Sequence, residues 1–140
     1  MRTIFMWVLL VSLWACREEP KQVQIAPEPK ETATAENIAP IDLIGKTIVY
    51  DYGENVYHVT IDDEIRLHWE AVEGSEVGVK ETETYKMHRI TAQTIFITWG
   101  EANGIGVSQV LDFKKGIVYN HLLRGRDIAV GTGEIFILNN

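Results

Sequence analysis

From Ile41 to Asn140 the apolar side chains return at every second position, and this period of two constrains the fold more than any other feature of the chain. A strand points successive side chains to opposite faces, so such alternation describes sheet with one face buried and the other wet. Ile48, Tyr50 and Tyr52 share a face, as do Tyr57, Val59 and Ile61, and then Ile65, Leu67, Trp69 and Ala71. The pattern recurs in Val79 to Met87, Ile95 to Trp99, Val107 to Phe113, Ile117 to Leu123 and Glu134 to Leu138. Helical stripes are missing from this region, although Pro40 to Gly45 has room for one short turn.

The breaks between these segments carry turn chemistry. They are Tyr52-Gly53-Glu54-Asn55, Asp62-Asp63, Glu73-Gly74-Ser75, Ala102-Asn103-Gly104 and Lys114-Lys115-Gly116. Asp62-Asp63 and Lys114-Lys115-Gly116 are flanked so closely by alternating residues that they read as hairpins. The spacing predicts an all-β domain of about eight or nine antiparallel strands, a meander closed into a barrel or folded as a sandwich. Closure would remove exposed edges and could enclose one small ligand.

The residues before this domain differ in kind. Residues 17–40 hold all four prolines of the chain, with no glycine and no aromatic residue, while all 11 glycines fall between Gly45 and Gly133. A stretch so poor in apolar surface cannot offset its ordering entropy, so residues 16–40 read as a disordered, semi-extended linker and the domain as residues 41–140. Residues 1–15 have the layout of a secretory signal peptide: Arg2, an apolar run from Ile4 to Ala15, then a cysteine. The run is too short for a membrane span. Leu13-Trp14-Ala15-Cys16 resembles the lipobox of bacterial lipoproteins, which implies cleavage before Cys16 and acylation of its thiol. Cys16 is the single cysteine, so no intramolecular disulfide can form. Arg17 follows it, without the aspartate that retains many lipoproteins at the inner membrane. The expected address is therefore the bacterial cell envelope, anchored to the outer membrane and facing the periplasm.

With 20 acidic against 13 basic residues the formal charge is −7, which disfavours phosphate backbones and anionic headgroups. Nucleic acid is not an expected partner, and membrane contact is expected through the lipid alone. Phosphate-binding loops, dinucleotide fingerprints, paired CxxC, HExxH and GxSxG are all missing, so neither a cofactor nor a metal site is expected. Of the four histidines, His121 stands out because alternation places it on the face of Tyr119. Glu81 and Glu83 alternate with Val79, Tyr85 and Met87, and a solvated rim is favoured over a metal or acid–base pair because buried charge is costly.

Three segments stand out together: Tyr50-Asp51-Tyr52-Gly53, Gly74-Ser75-Glu76-Val77-Gly78, and Trp99-Gly100-Glu101-Ala102-Asn103-Gly104 with the following Val107 and Val110-Leu111-Asp112. In combination they resemble the MoaF-related and phenolic acid decarboxylase branch of the lipocalin-like (calycin) proteins. The resemblance runs from Ile44 to Leu138. Asp112 to Tyr119 and Gly131-Thr-Gly133 are closer to its MoaF-related side. It implies a lipocalin-like up-and-down barrel with an interior pocket. In the decarboxylases two tyrosines and an arginine hold the substrate and a glutamate moves the proton; Tyr50, Tyr52 and Glu101 match the tyrosines and the glutamate. Val79 stands at the arginine's position, which removes the planar fork that grips a carboxylate.

Alternation alone places Tyr50, Tyr52, Trp99 and Glu101 inward, with Trp69 and Tyr85 as further candidates for the ligand-binding wall. A glutamate in phase with Trp99 must be paired, hydrogen-bonded or protonated, and desolvation would raise its pKa as a general acid requires. Three functions are compatible with these residues. The first is a lipid-anchored barrel that binds a small, partly apolar molecule, and the second a lyase or isomerase acting on an aromatic or hydroxylated acid through Glu101. The third is an envelope structural or interaction protein whose barrel is filled by its own side chains.

Overall fold

The computed structural model describes residues 38–138. The expected signal peptide, Cys16 and most of the linker lie outside the described residues. Eight strands follow one another: β1 (Thr47–Asp51), β2 (Val56–Ile61), β3 (Arg66–Glu73), β4 (Lys80–Arg89), β5 (Thr94–Gly100), β6 (Gly106–Asp112), β7 (Ile117–Arg124) and β8 (Asp127–Ile137). Each pairs antiparallel with its sequence neighbours, and β1 pairs with β8 to close the barrel. The all-β, up-and-down barrel expected from the alternation is what the chain adopts, with closure chosen over the sandwich.

The turns named from sequence separate strands as expected, and Gly53, Gly74, Gly104 and Gly116 in them all take positive φ. Two further turns lacked an obvious signature. Thr91 lies between β4 and β5, and Gly125-Arg126 joins β7 to β8, with Gly125 at φ 61° in the first central position of a two-residue loop. The segment around Leu43 forms a turn rather than a helix, with Lys46 N donating to Leu43 O at 3.0 Å, and Ile44 makes a parallel bridge to Ile61.

An up-and-down meander sorts its connections to two ends. The β2–β3, β4–β5 and β6–β7 turns gather at one, where Leu43 joins the core cluster with Ile48, Ile61, Leu67 and Ile95. The entering chain is tied there: Ile41 N donates to Ala92 O at 3.0 Å, the Arg89 guanidinium to Ile41 O at 2.7 Å, and Gln93 Nε2 to Ala39 O at 3.0 Å. These residues close that end. Each fully buried branched side chain there contributes about 1.5–3 kcal/mol relative to exposure. The β1–β2, β3–β4, β5–β6 and β7–β8 connections ring the opposite end.

Two expectations fail on β7 and β8. Alternation puts Ile117, Tyr119, His121 and Leu123 on one face, and the reading above took that face as the apolar one. In the barrel Val118, Asn120 and Leu122 face inward while Tyr119 is 42% exposed, so His121 points away from the interior. Both faces of β7 carry apolar residues, and pairing decides between them: Val118 sits opposite the buried Leu111 and Leu122 opposite Val107. β8 begins at Asp127, well before Glu134, and its inward positions Ala129, Gly131 and Gly133 have little side chain to show an alternation.

Candidate functional site

The open end holds a cavity of about 350 Å³. Five of its lining residues are aromatic: Tyr50 on β1, Tyr52 just beyond it, Tyr57 on β2, Trp69 on β3 and Trp99 on β5. The Tyr57 ring meets Tyr52 and Trp69 edge to face, with both ring centroids 6.1 Å away and interplanar angles of 72° and 71°. Val59, Val107 and Leu122 complete the apolar wall. At the β2–β3 pairing Val56 lies opposite Glu73 and Tyr57 opposite Ala71, so Val72 is an extra residue bulged at the mouth.

Polar groups are distributed by depth. Gln109 on β6 is buried, and its Nε2 donates to Tyr52 Oη at 3.3 Å and to Asn120 Oδ1 at 3.2 Å. Its Oε1 has no partner among the described residues, and the same holds for Tyr50 Oη, Trp69 Nε1 and Trp99 Nε1. A buried polar atom left unpaired costs of order 1–3 kcal/mol, so four such atoms on residues lining one cavity are groups a ligand can satisfy. Burial raises the Tyr50 and Tyr52 hydroxyls well above the usual tyrosine range, and each is raised further by its neighbouring tyrosine, so both stay protonated.

The rim is acidic. Glu76 in the β3–β4 loop accepts from Tyr57 Oη at 2.7 Å; Glu81 on β4 accepts from the Ala102 amide at 3.3 Å; Glu101 accepts from Asn103 Nδ2 at 3.1 Å. The turn that presents Glu101 is drawn tight by Glu101 N donating to Ile105 O at 2.8 Å and Gly104 N to Glu101 O at 2.9 Å. Desolvation raises the Glu101 carboxyl, and the Asn103 bond opposes it, with Glu81 and Glu76 raising it again. Trp99 also acts to lower the Glu101 carboxyl, although its indole N–H closes no hydrogen bond among the described residues. Tyr57 is pushed up to about 12 by burial and by its bond to Glu76. Across the mouth, Arg124 at the end of β7 brings a guanidinium to the lining.

Residues 44–135 match the family model described as MoaF-like. The chain belongs to the MoaF-like family. No curated protein matches it in sequence. Among solved structures, one from Burkholderia vietnamiensis, provisionally described as a beta-lactamase, superposes with a TM-score of 0.65 at 20% identity, covering 71% of this chain and 98% of the other. At that identity the likeness is one of fold. The chain is thus a MoaF-like domain built as a closed eight-stranded antiparallel barrel, an architecture consistent with a calycin-type fold and compatible with binding a small molecule.

Of the candidates named from sequence, the MoaF-like barrel brings Tyr50, Tyr52, Trp69, Trp99 and Glu101 to one cavity. Tyr85 does not line it. Its ring is buried in the core and its hydroxyl donates to the Asp63 carbonyl at 2.8 Å, clasping β4 to the β2–β3 turn. Glu81 lines the cavity and Glu83 points the same way, both partly buried, so these carboxylates belong to the inner face near the rim. Val79 also lines the mouth, where the resemblance led us to look for an arginine. Sequence reasoning missed Tyr57 and Gln109, although both were in phase with residues assigned inward. It missed Asn120 and Arg124 because β7 was turned the wrong way, and Glu76 because a loop has no period to read. Among the described residues no group of three or more His, Cys, Asp or Glu is placed to hold a metal ion.

Proposed function

We propose that this MoaF-like protein is an exported, lipid-anchored binding module of the bacterial cell envelope that holds a small, partly apolar molecule in the mouth of its barrel. The observation that carries the reading is the cavity beside Tyr52, aromatic-walled and bordered by buried polar atoms without partners among the described residues. A barrel filled by its own side chains would leave no such space, which counts against a purely structural role. Tyr50, Tyr52, Trp69 and Trp99 form the wall, and Glu101 orients the ligand at the rim.

The N-terminal sequence supports the anchoring half of the proposal, with Cys16 as the acylated residue and the outer membrane as its destination. Residues 39–41 are tied to the closed end of the barrel. A tether from Cys16 would therefore join the domain opposite its mouth. Radiolabelled palmitate incorporation, lost in Cys16→Ser, tests this half; equal labelling of both proteins refutes it.

Thermal-shift screening of small aromatic and hydroxylated compounds tests the binding half, because a ligand selective for the native state raises apparent stability. The reading expects a compound that stabilises the wild type clearly more than Tyr50→Phe or Glu101→Gln. It fails if no compound separates wild type from Glu101→Gln.

A second reading, a lyase or isomerase acting on a hydroxylated aromatic acid, draws on two observations: the raised carboxyl of Glu101 and the Arg124 guanidinium at the same mouth. Glu101 would carry the proton and Arg124 the substrate carboxylate. Unchanged ultraviolet spectra after incubation with hydroxycinnamic acids would end it.

A further inference from the structure

We propose that the ligand of this cavity is an organic cation, a protonated amine or quaternary ammonium on a compact apolar body whose far end carries a hydrogen-bonding group. The inference rests on the binding reading above and names its chemical class.

Charge at the mouth is one-sided. Glu76, Glu81 and Glu101 line it, against Arg124 as the basic residue among the described lining. The three carboxylates come from different parts of the chain, the β3–β4 loop, β4 and the β5–β6 turn, so their convergence is a product of the fold. Each is held by a donor that leaves part of the carboxylate available: the Tyr57 hydroxyl, the Ala102 amide and the Asn103 amide. Desolvation first, and then repulsion from Glu81 and Glu76, raises the Glu101 carboxyl, so negative charge at this mouth is self-repelling. A positive group at the mouth relieves that repulsion, whereas an anionic ligand adds to it.

The wall suits a cation too. The Tyr57 ring meets Tyr52 at 72° and Trp69 at 71°, so two aromatic corners share the Tyr57 ring. Such aromatic corners attract ammonium groups through the negative ring faces, and desolvation strengthens the attraction. Below them, Tyr50 Oη, Trp69 Nε1 and Gln109 Oε1 are buried beyond nine-tenths and unpartnered among the described residues. This second set lies on residues of the same cavity and indicates what the other end of the ligand presents. Gln109 spends its amino group on Tyr52 and Asn120, so its remaining oxygen accepts, and a hydroxyl or amide N–H fits it.

Calorimetric titration with shape-matched probes tests the charge. Using residues 16–140 with Cys16→Ser, 2-phenylethylamine and benzyltrimethylammonium are expected to bind at least about tenfold tighter than neutral 2-phenylethanol, with 3-phenylpropionate weakest, a gap of about 1.4 kcal/mol. Raising salt should weaken the amines and leave the alcohol unchanged. Glu76→Gln and Glu81→Gln, conservative changes at the rim, should each cost the amines severalfold more than the alcohol. If the alcohol binds as tightly as the amines, the charge inference is overturned while the binding reading stands. Tighter binding of the carboxylate overturns it in favour of the acid-processing reading. If the amines give no saturable heat at millimolar concentration the inference is also overturned, and the binding reading then depends on the broader thermal-shift screen.

Discussion

Replacing Gly133 by alanine should destabilise the domain, and the same change at Gly131, two residues away on β8 and also inward, should not. A Cβ on Gly133 would stand 2.6 Å from the Asp51 carbonyl oxygen and 2.7 and 3.0 Å from Cδ1 and Cε1 of the Tyr52 ring. Ordinary contact between heavy atoms needs about 3.5–4.0 Å. The Tyr52 ring could swing aside by losing its contact with Gln109, but the Asp51 carbonyl belongs to the β1–β8 pairing and cannot retreat without opening it. Overpacking of this kind costs about 1–3 kcal/mol. For a domain of this size each kcal/mol lowers Tm by about 4–8 °C. A Cβ on Gly131 meets nothing within 4 Å, so Gly131→Ala should leave stability unchanged or raise it by about 0.4–1 kcal/mol through the unfolded chain. Urea denaturation of the two variants side by side gives the difference directly. If both lose the same stability, the loss is a general cost of alanine in β8, and the claim that Gly133 makes room for Tyr52 is wrong.

Two further outcomes follow from the core and the rim. Tyr85→Phe removes the bond to the Asp63 carbonyl and should cost about 0.5–1.5 kcal/mol in denaturation while leaving ligand affinity untouched; a variant that keeps its stability but loses binding would return Tyr85 to the site. Glu83 is pushed from 4.5 to about 7 by burial, by hydrogen bonding and repulsion with Glu81, and by Glu101. Between those values the folded protein holds a proton that the unfolded chain has lost, so this contribution is complete below about 4.5 and disappears as pH rises through about 7. Tm should therefore fall across that window, and Glu83→Gln should flatten the fall; an unchanged slope in the variant would assign it to other groups.

How far the sequence could be read depended on what each strand had to distinguish its faces. On β3 the burial alternates cleanly, with Leu67, Trp69 and Ala71 buried between the exposed Arg66, His68 and Glu70, so period two gave its orientation unaided. β5 repeats this with Ile95, Ile97 and Trp99. On β7 the apolar residues fall on both parities and either face could have been the inner one, while the glycines of β8 gave no pattern at all. A one-residue shift in phase exchanges every side chain between core and solvent, which is why the error over His121 also hid Asn120 and Arg124.

The all-β class, most turn positions and the inward set Tyr50, Tyr52, Trp69, Trp99 and Glu101 were determined by the sequence alone, because strand periodicity and turn chemistry are local. Barrel closure, the choice of face on β7, the removal of Tyr85 from the cavity and the meeting of Glu76, Glu81 and Glu101 at one mouth were decided by the tertiary structure. These depend on which residues stand opposite one another across strands far apart in the chain, and no local rule of spacing fixes that register.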